Sequence, residues 1–260
     1  MYISYILPNG KEVRLKEILY KDLRTFNLYG ETSFRGQLDF LESFILTKGL
    51  NILEKFYSLM YLRLHCIGDN LIVGSEKGDV GVSLDFVRSN IGGINKIRKT
   101  VTSDNIEYTL DYPHTFNIGD DDFILSIVSK IKIGDEELVL GKLSEDEYNR
   151  VVEKLPKDLY NHIDKFMIDC NNFFEITLLD ERANLDIKPI QFNILDQTFP
   201  HFIVSLFNCI DVQGYRDLLF ALSKRLNDVS FLINSTYLEL NDYFEMYKRE
   251  IEEQANAKQS

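Results

Sequence analysis

The chain has 260 residues, of which 45% are hydrophobic, and it carries a formal net charge of −12 at pH 7. A chain of this length and hydrophobicity can bury a core, in one large domain or two small ones. The acidic balance opposes binding to phosphate backbones, so we expect no nucleic-acid partner.

The cysteines and the N-terminal residues indicate the cellular compartment of the protein. Cys66, Cys170 and Cys209 are widely spaced and fit neither a disulfide framework nor a paired metal-ligand motif. The first residues, MYISYILPNG, lack a basic segment followed by a long apolar one, and no window approaches 18 uncharged apolar residues. We therefore expect a soluble protein of a reducing cytoplasm, without a membrane partner.

The N-terminal residues predict a hairpin followed by two helices. Tyr2–Leu7 is rich in β-branched and aromatic residues, and Asn9-Gly10 can close a tight turn before a second strand. Lys16–Leu28 and Gln37–Leu46 then have apolar residues at helical spacing.

The stretch Ile52–Phe86 changes its apolar period partway along. Its first half has apolar residues at steps of three and four, namely Leu53, Phe56, Tyr57, Met60, Tyr61 and Leu64. After Gly68 the apolar residues come in short runs and then alternate through Val80 and Val82. This pattern predicts a helix that leads into a β-hairpin.

The middle of the chain predicts a loop, a strand, a helix and a hairpin. Val87–Thr100 is irregular and is typical of a solvated loop. Ile106–Tyr112 alternates as a strand does. Asp120–Asp122 would cap a helix over Phe123–Ile131, and a hairpin would follow over Ile131–Leu140.

The next residues complete an α+β region over 1–196. Ser144–Glu147 is a capping box that begins one helix, and Pro156 begins another. Phe173–Leu179 and Leu185–Ile190 predict two further strands. The fold class is therefore α+β, with small antiparallel hairpins and sheets packed with helices.

Residues 197–260 predict a C-terminal region of helices alone. A second capping box, Thr236–Glu239, begins the last helix, and the polar tail Glu252–Ser260 is expected to fray. One face of this helix is apolar: Tyr237, Leu240, Phe244, Tyr247 and Ile251. These residues either pack onto Phe199–Leu226 or form a partner-binding face with anchors at three- and four-residue steps.

The residues that catalysis would need do not form a recognisable site. Gly-x-Ser-x-Gly, the phosphate-loop motif and Gly-x-Gly-x-x-Gly are all missing from the sequence. His65 and Cys66 would point about 100° apart on a helix, so both are expected to be structural. A hydrolase or transferase using Asp120–Asp122 is the alternative. We predict no enzyme, no cofactor, no metal and no small-molecule substrate.

Several short motifs together resemble the baseplate protein family of T4-like contractile-tailed bacteriophages. They are Leu7–Val13 before a helix, Tyr61–Asp69 before a hairpin, Asp111-Tyr112-Pro113, Phe123–Ile131 before an acidic hairpin, Ser144–Glu147 and the acidic, aromatic C-terminal helix. The resemblance implies a non-enzymatic tail protein that is a baseplate hub component or a hub-assembly factor. Its partners would be other phage tail or baseplate hub proteins.

The resemblance leaves two other roles open. The chain could be a transient tail assembly chaperone that is absent from the virion, or a cellular adaptor module. Its expected location is accordingly the virion tail baseplate, or the host cytoplasm during assembly.

One feature of the family is missing. Family members carry Cys-x-x-Cys pairs in two hairpins, which suggest a zinc ribbon. Only Cys170 lies near the second of these positions, so the resemblance implies no metal site in this chain.

Overall fold

The computed structural model alternates antiparallel hairpins with helices and then continues as helices. It describes residues 1–30, 33–68, 70–75, 78–83, 99–119, 121–173, 175–176, 190–191, 194–208, 212–224 and 230–257. The predicted α+β class with a helical C-terminal region is therefore confirmed.

The N-terminal hairpin forms as predicted. Strand β1 (Tyr2–Ile6) pairs antiparallel with β2 (Glu12–Lys16), and Gly10 adopts φ +84° in the turn. Residues 44–46 bind the other edge of β2, where Lys16 N–H donates to Phe44 O at 2.8 Å. The order across this sheet is thus residues 44–46, β2 and β1.

Two helices follow, with boundaries that differ from the prediction. Helix α1 spans Tyr20–Gly30, because Lys16 belongs to β2 and Asp22 caps Leu19 N–H at 3.0 Å. Helix α2 spans Phe34–Glu42 and begins at its N-cap Ser33. It ends before Leu46 because residues 44–46 bond to β2 instead.

Helix α3 (Ile52–Cys66) is buried on nearly all sides and lies at the centre of the protein. A capping box between Asn51 and Glu54 begins it. Gly68, with φ +108°, ends it in a conformation that favours glycine. Strands β3 (Asn70–Ser75) and β4 (Gly78–Ser83) then pair antiparallel, so the predicted helix and hairpin are confirmed there, while residues 84–86 lie outside the described residues.

A four-stranded antiparallel sheet follows. It contains β5 (Lys99–Ser103), β6 (Ile106–Leu110), β7 (Val128–Ile133) and β8 (Glu136–Val139) in that order. The predicted strand is confirmed but ends at Leu110, and the predicted hairpin at Gly134 is confirmed but begins earlier, at Val128. The predicted loop over 87–100 lies outside the described residues up to residue 98. It is wrong at Lys99 and Thr100, which begin β5 because they pair with β6.

The helix predicted over Phe123–Ile131 is wrong. Asp121–Ile127 forms a 3-10 helix, and strand β7 begins at Val128. Leu110 pairs with Val128 and Thr109 with Lys130, so β7 carries a bulge at residue 129. The bulge lets Val128 and Ile131, three residues apart, both be buried, and that spacing imitates a helix.

Helices α4 (Glu145–Val152) and α5 (Lys157–Phe173) follow as predicted. Glu147 accepts hydrogen bonds from Ser144 N–H at 3.0 Å and from its hydroxyl at 2.7 Å, and these bonds lower the pKa of Glu147. Strands β9 (Glu175–Ile176) and β10 (Ile190–Gln191) pair antiparallel. The rest of the two strands predicted there lies outside the described residues.

The C-terminal region consists of α6 (Thr198–Phe207), α7 (Val212–Ser223), α8 (Ser230–Ile233) and α9 (Tyr237–Ala257). The prediction that the tail frays from Glu252 is wrong as far as Ala257, since α9 continues to that residue. Favourable helix propensity in the Glu-rich end accounts for the extension.

The core joins the two parts of the chain. Phe199 of α6 lies with its ring centroid 5.1 Å from that of Phe56 on α3 and 6.3 Å from that of Phe116. All three belong to one continuous hydrophobic cluster. The helical region after residue 196 therefore completes the core of the α+β region.

Candidate partner-binding surface

A reciprocal capping box fixes the start of helix α9. Glu239 Oε2 accepts from Thr236 N–H at 2.9 Å, and Glu239 N–H donates to Thr236 Oγ1 at 3.2 Å. Thr236 is buried, and Leu238 lies beside Gly68 at the end of α3. The predicted capping box is confirmed, and it anchors α9 next to the central helix.

The five residues predicted as a partner-binding face lie in different environments. Leu240 is buried and clusters with Tyr20, Leu222 and Leu232. Tyr237 and Tyr247 are half-buried against the body. Phe244 is half-buried beneath Lys248, whose Nζ lies 4.3 Å from the ring centroid, and Ile251 is exposed. This face packs on the body at its start and reaches solvent at its end.

A neighbouring side of α9, centred on Met246, carries apolar residues that the sequence pattern did not single out. Tyr243 and Met246 are 44% and 63% exposed, and Phe231 of α8 contacts Tyr243 edge-to-face at 5.5 Å. Asp242 and Glu250 lie on the same side of the helix. We call the residues Asp242, Tyr243, Met246 and Glu250 the outer face of α9. The sequence pattern does not reveal this face, because polar residues separate its apolar ones.

Two charged side chains of α3, Glu54 and Arg63, are buried. Glu54 contacts the motif Leu7–Val13, and Arg63 lies within the motif Tyr61–Asp69. Glu54 accepts hydrogen bonds from Asn9 Nδ2 and Lys11 Nζ, each at 2.9 Å, and from Asn51 N–H at 3.1 Å. It therefore fixes the turn of the first hairpin onto the start of α3.

Arg63 acts at the other end of α3. Its side chain is fully buried, and its guanidinium donates to the main-chain carbonyl oxygens of Leu206, at 3.1 Å from Nε, and of Gly68. Both acceptors lie at helix C-termini, where the macrodipole favours a positive charge. The motif arginine is thus used to join α3 to α6.

The His65-Cys66 pair is structural, as predicted. Cys66 is buried, and its Sγ accepts from Ile18 N–H at 3.4 Å. His65 Nε2 lies 3.5 Å from a carboxylate oxygen of Glu17. Burial raises the pKa of the Cys66 thiol to about 12, so the thiol stays protonated at neutral pH.

Cys170 lies in a similar environment in α5. It is buried, and burial raises the pKa of its thiol to about 12, while the adjacent Tyr112 acts in the opposite direction. Burial also raises the pKa of the Tyr112 hydroxyl. Neither group is poised as a nucleophile.

A cavity of about 310 Å³ lies beside β7 and β8. Its polar lining includes Asp111, His114, Ser126, Ser129, Lys130 and Tyr148. The hydroxyls of Ser126 and Ser129 donate to main-chain carbonyl oxygens, the latter at 3.1 Å, and His114 Nδ1 lies 3.1 Å from another carbonyl. These hydroxyls are directed at the main chain rather than at a base.

The aspartates of the alternative enzyme hypothesis are not among the described side chains. Asp120 and the side chains of Asp121 and Asp122 lie outside the described residues, although the backbone of Asp121 begins the 3-10 helix. In the part of the chain that the structure describes, no three His, Cys, Asp or Glu side chains are grouped so as to hold a metal ion. No described helix is long and apolar enough to cross a membrane.

Comparison with known proteins identifies the family. A search of curated proteins and one of solved structures each gave no match. The family described as T4 bacteriophage base plate protein matches residues 1–177, which is more than half of the chain. That segment includes the first hairpin, α3 with Glu54 and Arg63, and the four-stranded sheet. The chain therefore belongs to the family of T4 bacteriophage base plate proteins.

Proposed function

We propose that this protein is a non-enzymatic component of the phage baseplate hub, or a factor in hub assembly, and that it acts through protein–protein contacts. The family match over residues 1–177 is the observation that carries the proposal. Its partners would be other phage tail or baseplate hub proteins, and its location the tail baseplate.

The use of the motif residues supports a scaffold role. Asn9 and Lys11 bind Glu54, and Arg63 binds main-chain carbonyls at two helix ends. Each of these side chains is engaged in holding elements together.

Helix α9 is the element that we propose to contact the partner. Its start is anchored by the capping box and by buried Leu240, whereas its end carries exposed Met246 and Ile251. A helix held at one end and exposed at the other suits docking into a groove. Phe244 and Tyr247, half-buried along the same helix, would extend the contact.

Co-expression with the tail's own proteins tests the proposal. The chain is expressed with candidate hub and tape-measure proteins from the same phage, and complexes are separated by size exclusion. We expect a stable complex with at least one tail component. A chain that elutes alone with every tail component would refute the proposed function.

A pair of variants tests the role of α9 in that complex. Met246→Glu places a charge on the exposed helix face and is expected to weaken the complex at least about tenfold, since a buried unpaired charge is costly. Ile168→Glu is the control, because Ile168 is similarly exposed, at 59%, but lies on α5. Equal effects of the two variants would place the contact elsewhere.

Mass spectrometry of purified virions separates the two roles within the proposal. A hub component remains in the particle in stoichiometric amount. An assembly factor that is released would be found in infected cells but not in virions.

A further inference from the structure

The main-chain N–H and C=O groups of β1 point to its two sides in alternation. Glu17 N–H donates to Met1 O at 3.1 Å, and Leu7 N–H donates to Lys11 O at 2.8 Å. In an antiparallel pair the bonded positions alternate, so the odd-numbered residues of β1 face β2. The N–H and C=O groups of Tyr2, Ser4 and Ile6 therefore point away from β2.

This outer edge of β1 is open in the described part of the chain. No main-chain hydrogen bond there reaches Tyr2, Ser4 or Ile6 from outside the hairpin. The side chains support an edge position, because Val13 and Leu15 on β2 are completely buried whereas Ile3 and Tyr5 on β1 are only half-buried. The opposite edge of the sheet is covered by residues 44–46.

The open edge lacks the usual protection against pairing. Exposed edges commonly carry charges, proline or a bulge. The sequence of β1, Tyr-Ile-Ser-Tyr-Ile, has no charge and no proline, and its pairing with β2 is regular. Tyr2 and Ile6 are 65% and 67% exposed. Charged residues are placed on β2 instead.

We propose that β1 pairs antiparallel with β1 of a second copy of this chain, centred on Ser4. In this register Tyr2 lies opposite Ile6 of the second copy, and Ile3 lies opposite Tyr5, so each aromatic ring meets a β-branched side chain. The outward positions Tyr2, Ser4 and Ile6 fall at hydrogen-bonded pairs, where each pair exchanges two main-chain bonds. The strand is thus complementary to itself.

The second copy fits this edge better than a charged strand does. Because β1 is uncharged, pairing two copies brings no like charges directly opposite each other. The result is a continuous four-stranded sheet with two-fold symmetry, β2-β1-β1-β2. The contact is smaller than a standard interface, so the dimer is expected to be reversible and to depend on concentration. This inference does not depend on the proposed hub role.

Mass measurement across a concentration series gives the first test. Sedimentation equilibrium should show an average mass rising from 30.3 kDa toward twice that value. A mass that stays at the monomer value at every concentration overturns the proposal. It does so even if the edge binds a different protein.

Cysteine cross-linking tests the register. Ser4→Cys places the two thiol-bearing residues opposite each other with Cα atoms about 5.5 Å apart, within disulfide range. Arg14→Cys is the matched control, because Arg14 pairs with Ser4 on the same sheet face but lies one strand further out. Two copies of residue 14 would be roughly 14 Å apart, so no disulfide forms. We expect a cross-linked dimer from Ser4→Cys alone.

A proline variant tests the hydrogen bonds. Ser4→Pro removes an N–H that β2 does not use, and it should raise the dimer dissociation constant at least about tenfold, whereas Ser4→Ala should not. Ile6→Lys, which adds an edge charge without touching the core, is a second variant that should do the same. Circular dichroism establishes that each variant is folded. Suppose that folded Ile6→Lys and Ser4→Pro both dimerise as the unchanged chain does, and that Ser4→Cys forms no cross-link. The interface would then lie on another surface.

Discussion

Lys11 Nζ lies 2.9 Å from the Glu54 carboxylate, which joins the turn of the first hairpin to the first turn of the central helix. The carboxylate is nearly buried and also accepts from Asn9 and from the N-cap residue Asn51. One side chain therefore caps α3 and positions the hairpin.

Replacing this carboxylate should destabilise the fold. Glu54→Gln removes the charge that Lys11 and Asn9 bind, and we expect the free energy of unfolding to fall by about 1–2 kcal/mol. Urea denaturation followed by circular dichroism measures the change. Glu12→Gln on the exposed face of β2 is the control and should change stability by less than about 0.5 kcal/mol. Similar losses in both variants would contradict the capping role.

Arg63→Met should lower the free energy of unfolding by more than Glu54→Gln does. The variant keeps most of the side-chain volume but removes the hydrogen bonds from the guanidinium to the carbonyl oxygens of Leu206 and Gly68, so we expect a loss of about 3 kcal/mol. The control is Arg35→Met, since Arg35 is 65% exposed and lies 4.0 Å from Asp39. That change should stay within about 0.5 kcal/mol. A neutral Arg63→Met would show that the buried guanidinium is dispensable.

Truncation of Leu240 separates packing from binding in α9. Leu240→Ala opens a cavity in the small cluster with Tyr20 and Leu222, and should reduce stability by about 2–4 kcal/mol. Leu238→Ala, at a position that is 40% exposed, should cost less than about 1 kcal/mol. Thermal unfolding measures both. If the two variants are equally stable, α9 is not seated through Leu240.

The buried thiols should resist alkylation in the folded protein. With a pKa of about 12, roughly one thiol in ten thousand is ionised at pH 8 at Cys66 or Cys170. Because burial raises the pKa, the thiolate population falls and labelling is expected to be slow until the chain unfolds. Iodoacetamide labelling read by peptide mass spectrometry, with and without guanidinium, measures this. Rapid labelling of Cys66 under native conditions would contradict the burial.

Removal of residues 197–260 tests the predicted division of the chain. Without α6 the core loses Phe199, and Arg63 loses the carbonyl of Leu206, so the remaining chain should not unfold cooperatively. A shorter truncation that removes only residues 248–260 is the control, since the described side chains there are exposed. A cooperative transition in the 1–196 fragment would show that the α+β region folds on its own.

Local signals in the sequence were sufficient for much of this fold. The capping boxes at Ser144 and Thr236 and the glycine turn at Gly134 depend on contacts between near neighbours, and each was predicted. The error at Phe123–Ile131 has a non-local cause. The bulge in β7 depends on pairing with β6, and no residue within the segment specifies that partner.

The candidate site was less accessible to sequence reasoning. An apolar stripe marks a helix face that is covered, but it does not say whether the cover is the same chain or another. Leu240 is covered by α1, α7 and α8, whereas Met246 is exposed on a neighbouring side. The buried charges were missed for the same reason, because Arg63 finds its acceptor 143 residues later in the chain.

The Arg63–Leu206 contact also sets an order of events during synthesis. Helix α3 leaves the ribosome long before α6 exists, so until then the guanidinium has no Leu206 carbonyl to bind and must remain hydrated. The centre of the protein can close only once the C-terminal helices have been translated. Final packing therefore waits for residue 206, and a nascent chain stalled before that residue would expose its core to chaperones.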